Sequence, residues 1–502
     1  MNSAKLTFLC IITLIIVATL RSQAQSSPLP TTTASTRPST PDIENLIVHP
    51  SPTTRPWMQY RLLPDATDLT EGNAVTLYLL ARRSWPDQQT TNDVLSPENA
   101  KYNYLDTPTD QFPLQYAKRL LDAYADTLSY ADLGARRRDA IWNTGWRERG
   151  FTGPYPFAYL SDLRHVENLL SFRGRLQVSQ NNWAAAQYTM QSAFAIAQHV
   201  GTEPLLLHGL VEAGFAEVTL RRSVEEWVSH PDSPNLYWPL TDLPHPFVNL
   251  RNVSQGTLVD FRHWKPPIAQ ALGGRLPANQ WPQLIRQMIG LLQDTLPPYK
   301  RNPAVVEADA NKLIESAYPR SRQYLLSNGI PPQAIDAMSK DQVVGTYLCQ
   351  QYRTAYDELW KAFTLPYPQA AELMLGSWRA IAPDQSPAVD NPLFQAALIT
   401  HSAAGPEYRS PNVLNIRYQL ARTDRLIALF RTIEAIRDYA GHHQGRAPET
   451  LDQITDLPVP VDPVTGKAFG YRVQSEVITL EALAPAYQSV SSGWRYQLTF
   501  QK

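Results

Sequence analysis

The chain has 502 residues, of which 43% are hydrophobic and 18% are charged. This share of apolar residues excludes a wholly disordered chain. Lysine and arginine together number 45, and aspartate and glutamate number 46. Such a balance argues against a nucleic-acid-binding protein, which needs a basic face. The 42 prolines, against 22 glycines, predict helices that are short and sharply bounded.

The first 24 residues have the three parts of a secretory signal peptide. Lys5 supplies the positive charge, Leu6–Leu20 is apolar, and Ser22–Ala24 ends in the small residues that a signal peptidase recognises. The apolar run is shorter than the roughly 20 residues of a membrane-spanning helix. We therefore expect a cleaved signal and a periplasmic or secreted protein without a stable membrane span. The alternative is an uncleaved N-terminal helix that anchors the chain.

The rest of the chain is predicted to have three parts. Residues 25–56 are rich in proline, threonine and serine and predict a disordered spacer. Residues 57–405 predict an α-helical domain. Residues 406–502 predict a long helix over 410–441 and a small antiparallel β module, because the alternating β-branched and aromatic residues near the end are typical of strands. The fold class is mainly α.

The clearest local pattern is a helical hairpin within residues 162–228. Apolar residues recur at steps of three and four on both sides of a turn at Gln180–Asn182. The pattern resembles one tetratricopeptide repeat, whose small and aromatic positions are held by Gly174, Trp183, Ala186 and Ala193. Gln177 and Gln198 depart from the repeat, and one repeat is too few for a superhelix. We therefore predict an array of helical hairpins and no complete solenoid.

Three stretches carry a wider resemblance: residues 132–142, 233–244 (SPNLYWPLTDLP) and 446–469, which ends in PVPVDPVTGKAF. Together with the signal peptide they resemble a large set of exported planctomycete proteins of unknown function. This resemblance covers most of residues 57–480 and implies no activity.

The third stretch also resembles the end of type II secretion pseudopilins, where a long helix leads into a turn and a strand. The matching residues are Gly445, Pro448, Leu451, Asp462, Pro463, Gly466 and Phe469. However, Met1–Leu20 lacks the cleavage glycine and the glutamate with which a pseudopilin begins. The stretch therefore predicts a similar helix–turn–strand module.

The sequence contains no nucleophile elbow, phosphate loop, dinucleotide-binding fingerprint or zinc-binding motif. We therefore expect no cofactor and no metal. His208 and Glu212, four residues apart, are interpreted as a half-buried polar pair, with a metal site as the alternative. Cleavage of the signal would leave Cys349 as the single cysteine, so no internal disulfide is expected.

The best candidate for a binding site is the proline-rich segment 233–251. It carries Tyr237 and Trp238 together with Asp242, His245 and Arg251, and irregular segments with aromatic and charged residues are where binding sites gather. The alternative is that its apolar residues simply fix an irregular segment to the helical core.

These features favour an exported helical scaffold or interaction protein that binds a protein or an envelope polymer and is not an enzyme. A secreted hydrolase with a dispersed site near 233–251 is the second hypothesis. A secretion-machinery accessory protein, suggested by the pseudopilin-like module alone, is the third.

Overall fold

The protein is described by a computed structural model over residues 43–87, 107–111, 113–143, 158–254, 266–293, 302–381, 391–393, 412–474, 476–485, 487–488 and 490–501. The fold is mainly α-helical with a small sheet built largely from the C-terminal end, as the sequence predicts. The predicted signal peptide and residues 25–42 lie outside the described residues.

The chain divides into two compact units. The helical unit contains described residues of 254–417, and the mixed unit contains those of 43–143, 158–253 and 418–501. The sequence instead places a boundary near residue 405. The difference arises because one long helix, Asn412–His442, contributes residues to both units.

Short and long helices build most of the mixed unit. They are α1 (Ala74–Arg83), α2 (Leu114–Ala123), α3 (Ala125–Ala135), α4 (Ala158–Ser179), α5 (Trp183–Gly201), α6 (Leu206–Thr219), α7 (Glu225–Ser229) and α8 (Tyr237–Thr241). A π-helical stretch, Leu220–Val224, joins α6 to α7. Helices α1, α3, α5, α4 and α6 pack on one another in an array.

The helical unit contains α9 (Pro266–Leu272), α10 (Trp281–Gln293), α11 (Pro303–Ser327), α12 (Pro332–Asp336), α13 (Lys340–Trp360) and α14 (Tyr367–Ile381), and the beginning of α15 (Asn412–His442). Helix α13 packs against α9, α10, α11 and α14. Cys349 is buried in it, and burial raises the pKa of its thiol to about 12. A thiol with that pKa is not a reactive nucleophile at neutral pH.

The main sheet has the strand order β1-β6-β5-β4, with β1 Ile43–Val48, β4 Gly470–Gln474, β5 Val477–Ala482 and β6 Trp494–Phe500. Strands β4, β5 and β6 are antiparallel, but β1 runs parallel to β6. The sheet is therefore mixed, whereas the sequence predicts an antiparallel module. Its buried face packs on α15, where the rings of Phe430 and Tyr496 meet edge to face with centroids 6.1 Å apart. A second, two-stranded parallel pair joins β2 (Thr70–Asn73) to β3 (Arg137–Asp139).

The predicted spacer is wrong for its last residues. Ile43–Val48 form the edge strand β1, in which Leu46 and Val48 are buried. Ser51 is also buried, and its hydroxyl donates to the carbonyl of Ser233 at 2.9 Å. Burial of these side chains offsets the entropy cost of ordering a segment whose composition alone predicts disorder.

The hairpin of α4 and α5 has the predicted turn, with Asn181 at a φ of 58° and Asn182 capping α5. Two glycines of this region allow close packing. A Cβ on Gly174 would lie 3.1 Å from Oγ of Ser223, so this glycine allows close approach of the π-helical stretch. Gly201 belongs to α5 and is required because its Cβ would lie 2.0 Å from Oε2 of Glu212.

Candidate functional site

The segment 233–251 is fixed at its start to two distant parts of the mixed unit. The side-chain amide of Asn235 donates to the carbonyls of Ser51 and Glu434, both at 2.9 Å. Its oxygen accepts the N–H of Tyr237 at 2.9 Å, which begins the single turn of α8. The proline-rich composition predicts no helix here. The side chain of Asn235 nevertheless accepts a backbone N–H at the start of α8, which stabilises this one helical turn.

A fully buried ion pair supports this junction. The guanidinium of Arg437 contacts both carboxylate oxygens of Glu434, at 2.9 and 3.0 Å. It also donates to Oγ of Ser233 at 2.6 Å and to the carbonyl of His49 at 3.0 Å. Burial raises the pKa of Glu434, and the positive charge of Arg437 opposes that rise. The junction therefore positions α8 rigidly on α15.

The structure separates the five predicted site residues into a buried and an exposed set. Tyr237 is fully buried, and its hydroxyl donates to the carbonyl of Pro458. Trp238 is half-buried. Asp242 and His245 are exposed, and Asp242 forms an ion pair with Arg61 at 3.4 Å.

Arg251 is also exposed, after the end of this irregular stretch. We therefore build the candidate site on the other four predicted residues and on the neighbours that the fold brings to them.

Trp238 stacks on Trp57, a residue 181 positions earlier in the chain. The two rings are nearly parallel, with an interplanar angle of 16° and centroids 5.8 Å apart. Trp57 is 52% exposed. The ring of Tyr237 meets Trp238 edge to face at 5.2 Å and holds it from beneath. We call this stacked pair the Trp57–Trp238 platform.

Three arginines contact the platform or residues next to it in the chain or in space. The guanidinium of Arg55 lies 5.9 Å from the ring centroid of Trp57. Arg431 lies 5.2 Å from the ring centroid of Tyr237 and donates to its hydroxyl at 3.2 Å. Arg61 pairs with Asp65 at 3.0 Å and with Asp242. The two acidic residues of this surface are therefore both held by one arginine.

His245 adds no charge near neutral pH. Desolvation of part of its ring lowers its pKa, the positive charge of Arg431 lowers it further, and a bond to the backbone of Thr241 opposes both effects. The residue as a whole is nevertheless exposed. With one ring nitrogen bonded to the backbone of Thr241, the neutral ring keeps one acceptor nitrogen.

A second feature of the mixed unit is an open cavity of about 360 Å³ between α2, α3, α4 and α5. Two of its charged groups pair with each other: Arg173 contacts both oxygens of Asp132 at 2.8 and 2.9 Å, and Ser192 donates to Asp132 at 2.6 Å. Tyr188 at its rim is covered by Arg136, 3.4 Å from the ring centroid. This network stabilises the helix array, so we rank the cavity below the platform.

Buried ionisable groups form a third feature. Burial lowers the pKa of His208 to about 3, and its Nε2 contacts the hydroxyl of Tyr159. Burial raises the pKa of Glu212 well above its usual range, and Gln198 donates to Glu212 at 3.0 Å. Both groups are therefore neutral near pH 7. They are fully buried, whereas the sequence predicts a half-buried pair, and they bond to different partners, Tyr159 and Gln198.

The aromatic residues of α8 are visible in the sequence, but the rest of the platform is not. Trp57 and Arg431 are brought to Trp238 by tertiary packing, over separations of about 180 and 190 residues. The available signal was the concentration of Arg55, Trp57 and Arg61 just where the folded part begins.

Among the described residues, no group of three or more His, Cys, Asp or Glu side chains is placed to hold a metal ion. No described helix is both long enough and apolar enough to cross a membrane. Comparison with protein-family models, curated proteins and solved structures finds no match.

Proposed function

We propose that this chain is an exported interaction protein that binds a component of the cell envelope through the Trp57–Trp238 platform, without catalysis. The observation that carries the proposal is the stacked tryptophan pair, one ring of which is 52% exposed on a rigid support. Tryptophan and arginine are the residues most enriched at the energetic centres of binding interfaces.

Rigidity is what distinguishes this pair from an ordinary exposed apolar residue. Trp238 is fixed by the edge of Tyr237, and Tyr237 by Pro458, Arg431 and Asn235. A ligand that packs on the platform therefore loses little of its binding free energy to the ordering of side chains. Since exposed tryptophan is otherwise unfavourable in water, a preorganised pair indicates a binding surface.

The experiment that tests this function is capture of envelope components by the tagged full-length protein, produced in its own host. Trp57→Ala should weaken capture by roughly 2 kcal/mol or more, about 30-fold, because the ring forms the exposed half of the platform. Titration of the tagged protein against a fixed amount of envelope fraction gives the apparent affinity.

Leu79→Ala is the matched control for this variant. Leu79 is also 52% exposed but lies on α1, and its substitution should leave capture unchanged. Thermal unfolding of both variants shows whether the fold is intact. Equal capture by Trp57→Ala and the wild type, with both folded, would remove the platform as the binding surface.

Export is tested separately by fractionating cells that produce the C-terminally tagged chain. We expect the protein outside the cytoplasm and a mass that corresponds to loss of residues 1–24, because Lys5, the apolar run and Ala24 match the order that a signal peptidase requires. A cytoplasmic product that retains residues 1–24 would contradict export. A membrane-bound product of full mass would show an anchor.

A further inference from the structure

We infer that the ligand of the Trp57–Trp238 platform is an acidic polysaccharide, that is, a polymer of sugar rings that carry carboxylates. This inference rests on the proposed function, since it names the chemical class of the envelope component. It follows from the flat exposed ring of Trp57 and from the charges around the platform.

The shape favours a flat ligand with an apolar face. The planes of Trp57 and Trp238 lie within 16° of parallel, and Trp57, which is 52% exposed, supplies the flat aromatic surface of the pair. The C–H faces of pyranose rings are flat and apolar, and they pack on such surfaces. The ring hydroxyls at the edge of a sugar then need hydrogen-bonding partners, which the guanidinium of Arg55, 5.9 Å from the ring centroid of Trp57, can supply.

The charges favour an acidic ligand. Arg61 is paired with Asp65 and Asp242. Arg55 and Arg431 form no ion pair with a carboxylate among the described residues. The Nε atom of Arg431 is buried and has no hydrogen-bond partner among them. The surface therefore has an excess of positive charge from two guanidinium groups, which bind carboxylates in preference to neutral groups.

The platform is one small surface rather than a deep pocket, so a single sugar would bind weakly. A polymer presents the same ring many times and raises the local concentration of binding units around one site. Two arginines that lack a carboxylate partner among the described residues are too few for the extended phosphate contacts that nucleic acids require. A repeating acidic sugar polymer therefore fits the observed surface best.

The experiment uses polygalacturonate and its methyl ester as probes, which share a backbone and differ in carboxylate charge. The full chain should bind polygalacturonate at least ten times more tightly than the ester, measured by affinity electrophoresis. Trp57→Ala should weaken binding to polygalacturonate at least tenfold, and Arg55→Gln several-fold. Binding should also weaken as salt rises from about 0.05 M to about 0.5 M, because exposed charges are screened.

Leu79→Ala again serves as control, and Trp57→Phe, which keeps a smaller ring, should retain more affinity than Trp57→Ala. Equal binding of the acid and the ester would overturn the acidic class. A third result is that neither polymer binds, although the wild type still captures envelope components. If protease treatment of the envelope then abolishes this capture, the ligand is a protein. The polysaccharide inference then fails and the proposed function stands. Undiminished envelope capture by folded Trp57→Ala would instead overturn the proposed function itself.

Discussion

Replacement of Arg437 by methionine is expected to lower the free energy of unfolding by about 3–5 kcal/mol, because it leaves a buried carboxylate without its partner. Arg437 and Glu434 are both fully buried, and Arg437 also contacts Ser233 and His49. The variant therefore loses the ion pair together with the bonds that hold the N-terminal segment and α8 on α15. Urea denaturation of wild type and variant gives the difference.

The effect should depend on pH in a definite direction. Burial already raises the pKa of Glu434, and removal of Arg437 removes the charge that opposes this rise. The folded variant then retains a proton that the unfolded chain has released, so its stability falls as pH rises above the ordinary pKa of a glutamate. The loss relative to wild type should be larger at pH 8 than at pH 5.

Two further variants isolate the cause. In Arg437→Met with Glu434→Leu the unpaired charge is absent, so part of the lost stability should return. Arg322→Met breaks an exposed ion pair with Asp336 and should leave the free energy of unfolding almost unchanged, because solvent screens such a pair. If Arg437→Met costs no more than Arg322→Met, the buried pair does not stabilise the junction beneath the platform.

Local sequence patterns predicted the helices well because helix formation depends on neighbouring residues. Helix α11 shows such local signals, because Asn302 caps its first turn and Gly329 follows its last turn at a φ of 83°. The three C-terminal strands also lie where alternating residues place them. Both patterns are readable over fewer than thirty residues.

Long-range pairing was not predictable in the same way. Strand β1 is short, lies next to a proline-rich stretch, and gains its stability by pairing with β6, about 450 residues later. Local composition identified Tyr237 and Trp238 as candidates. It could not identify Trp57 and Arg431, because their contacts join parts of the chain that are far apart in sequence. The platform exists only once Asn235 and Arg437 have joined the start of the folded chain to α15.

The interior also contains a carboxyl group whose replacement should stabilise the protein. Glu167 on α4 is fully buried; its Oε1 accepts a bond from Thr219 at 2.5 Å, and its Oε2 has no hydrogen-bond partner among the described residues. Burial raises its pKa to about 8, and the bond from Thr219 and the charge of Arg222 only partly oppose the rise. Glu167 is therefore protonated in the folded protein at neutral pH, whereas it is ionised in the unfolded chain.

Because the pKa of Glu167 is raised in the folded state, its contribution to the free energy of unfolding is fully present below pH 4.5. That contribution is lost as pH rises towards 8. Glutamine has nearly the same shape as the protonated acid and does not titrate. Relative to wild type, Glu167→Gln should therefore gain about 3–5 kcal/mol in free energy of unfolding between pH 4.5 and pH 8. Urea denaturation at several pH values within this window measures the change, and His199 and His208 affect both proteins alike.

Glu71→Gln is the matched control, because the side chain of Glu71 is 84% exposed. Its pH dependence should stay within about 0.5 kcal/mol of the wild type. Parallel curves for Glu167→Gln and wild type would mean that Glu167 is ionised in the folded state, with the nearby positive charge of Arg222 outweighing burial. If the stability curves of Glu167→Gln and the wild type diverge as pH rises, burial of the Glu167 carboxyl lowers the stability of the folded protein at neutral pH. A neutral amide at this position avoids that loss.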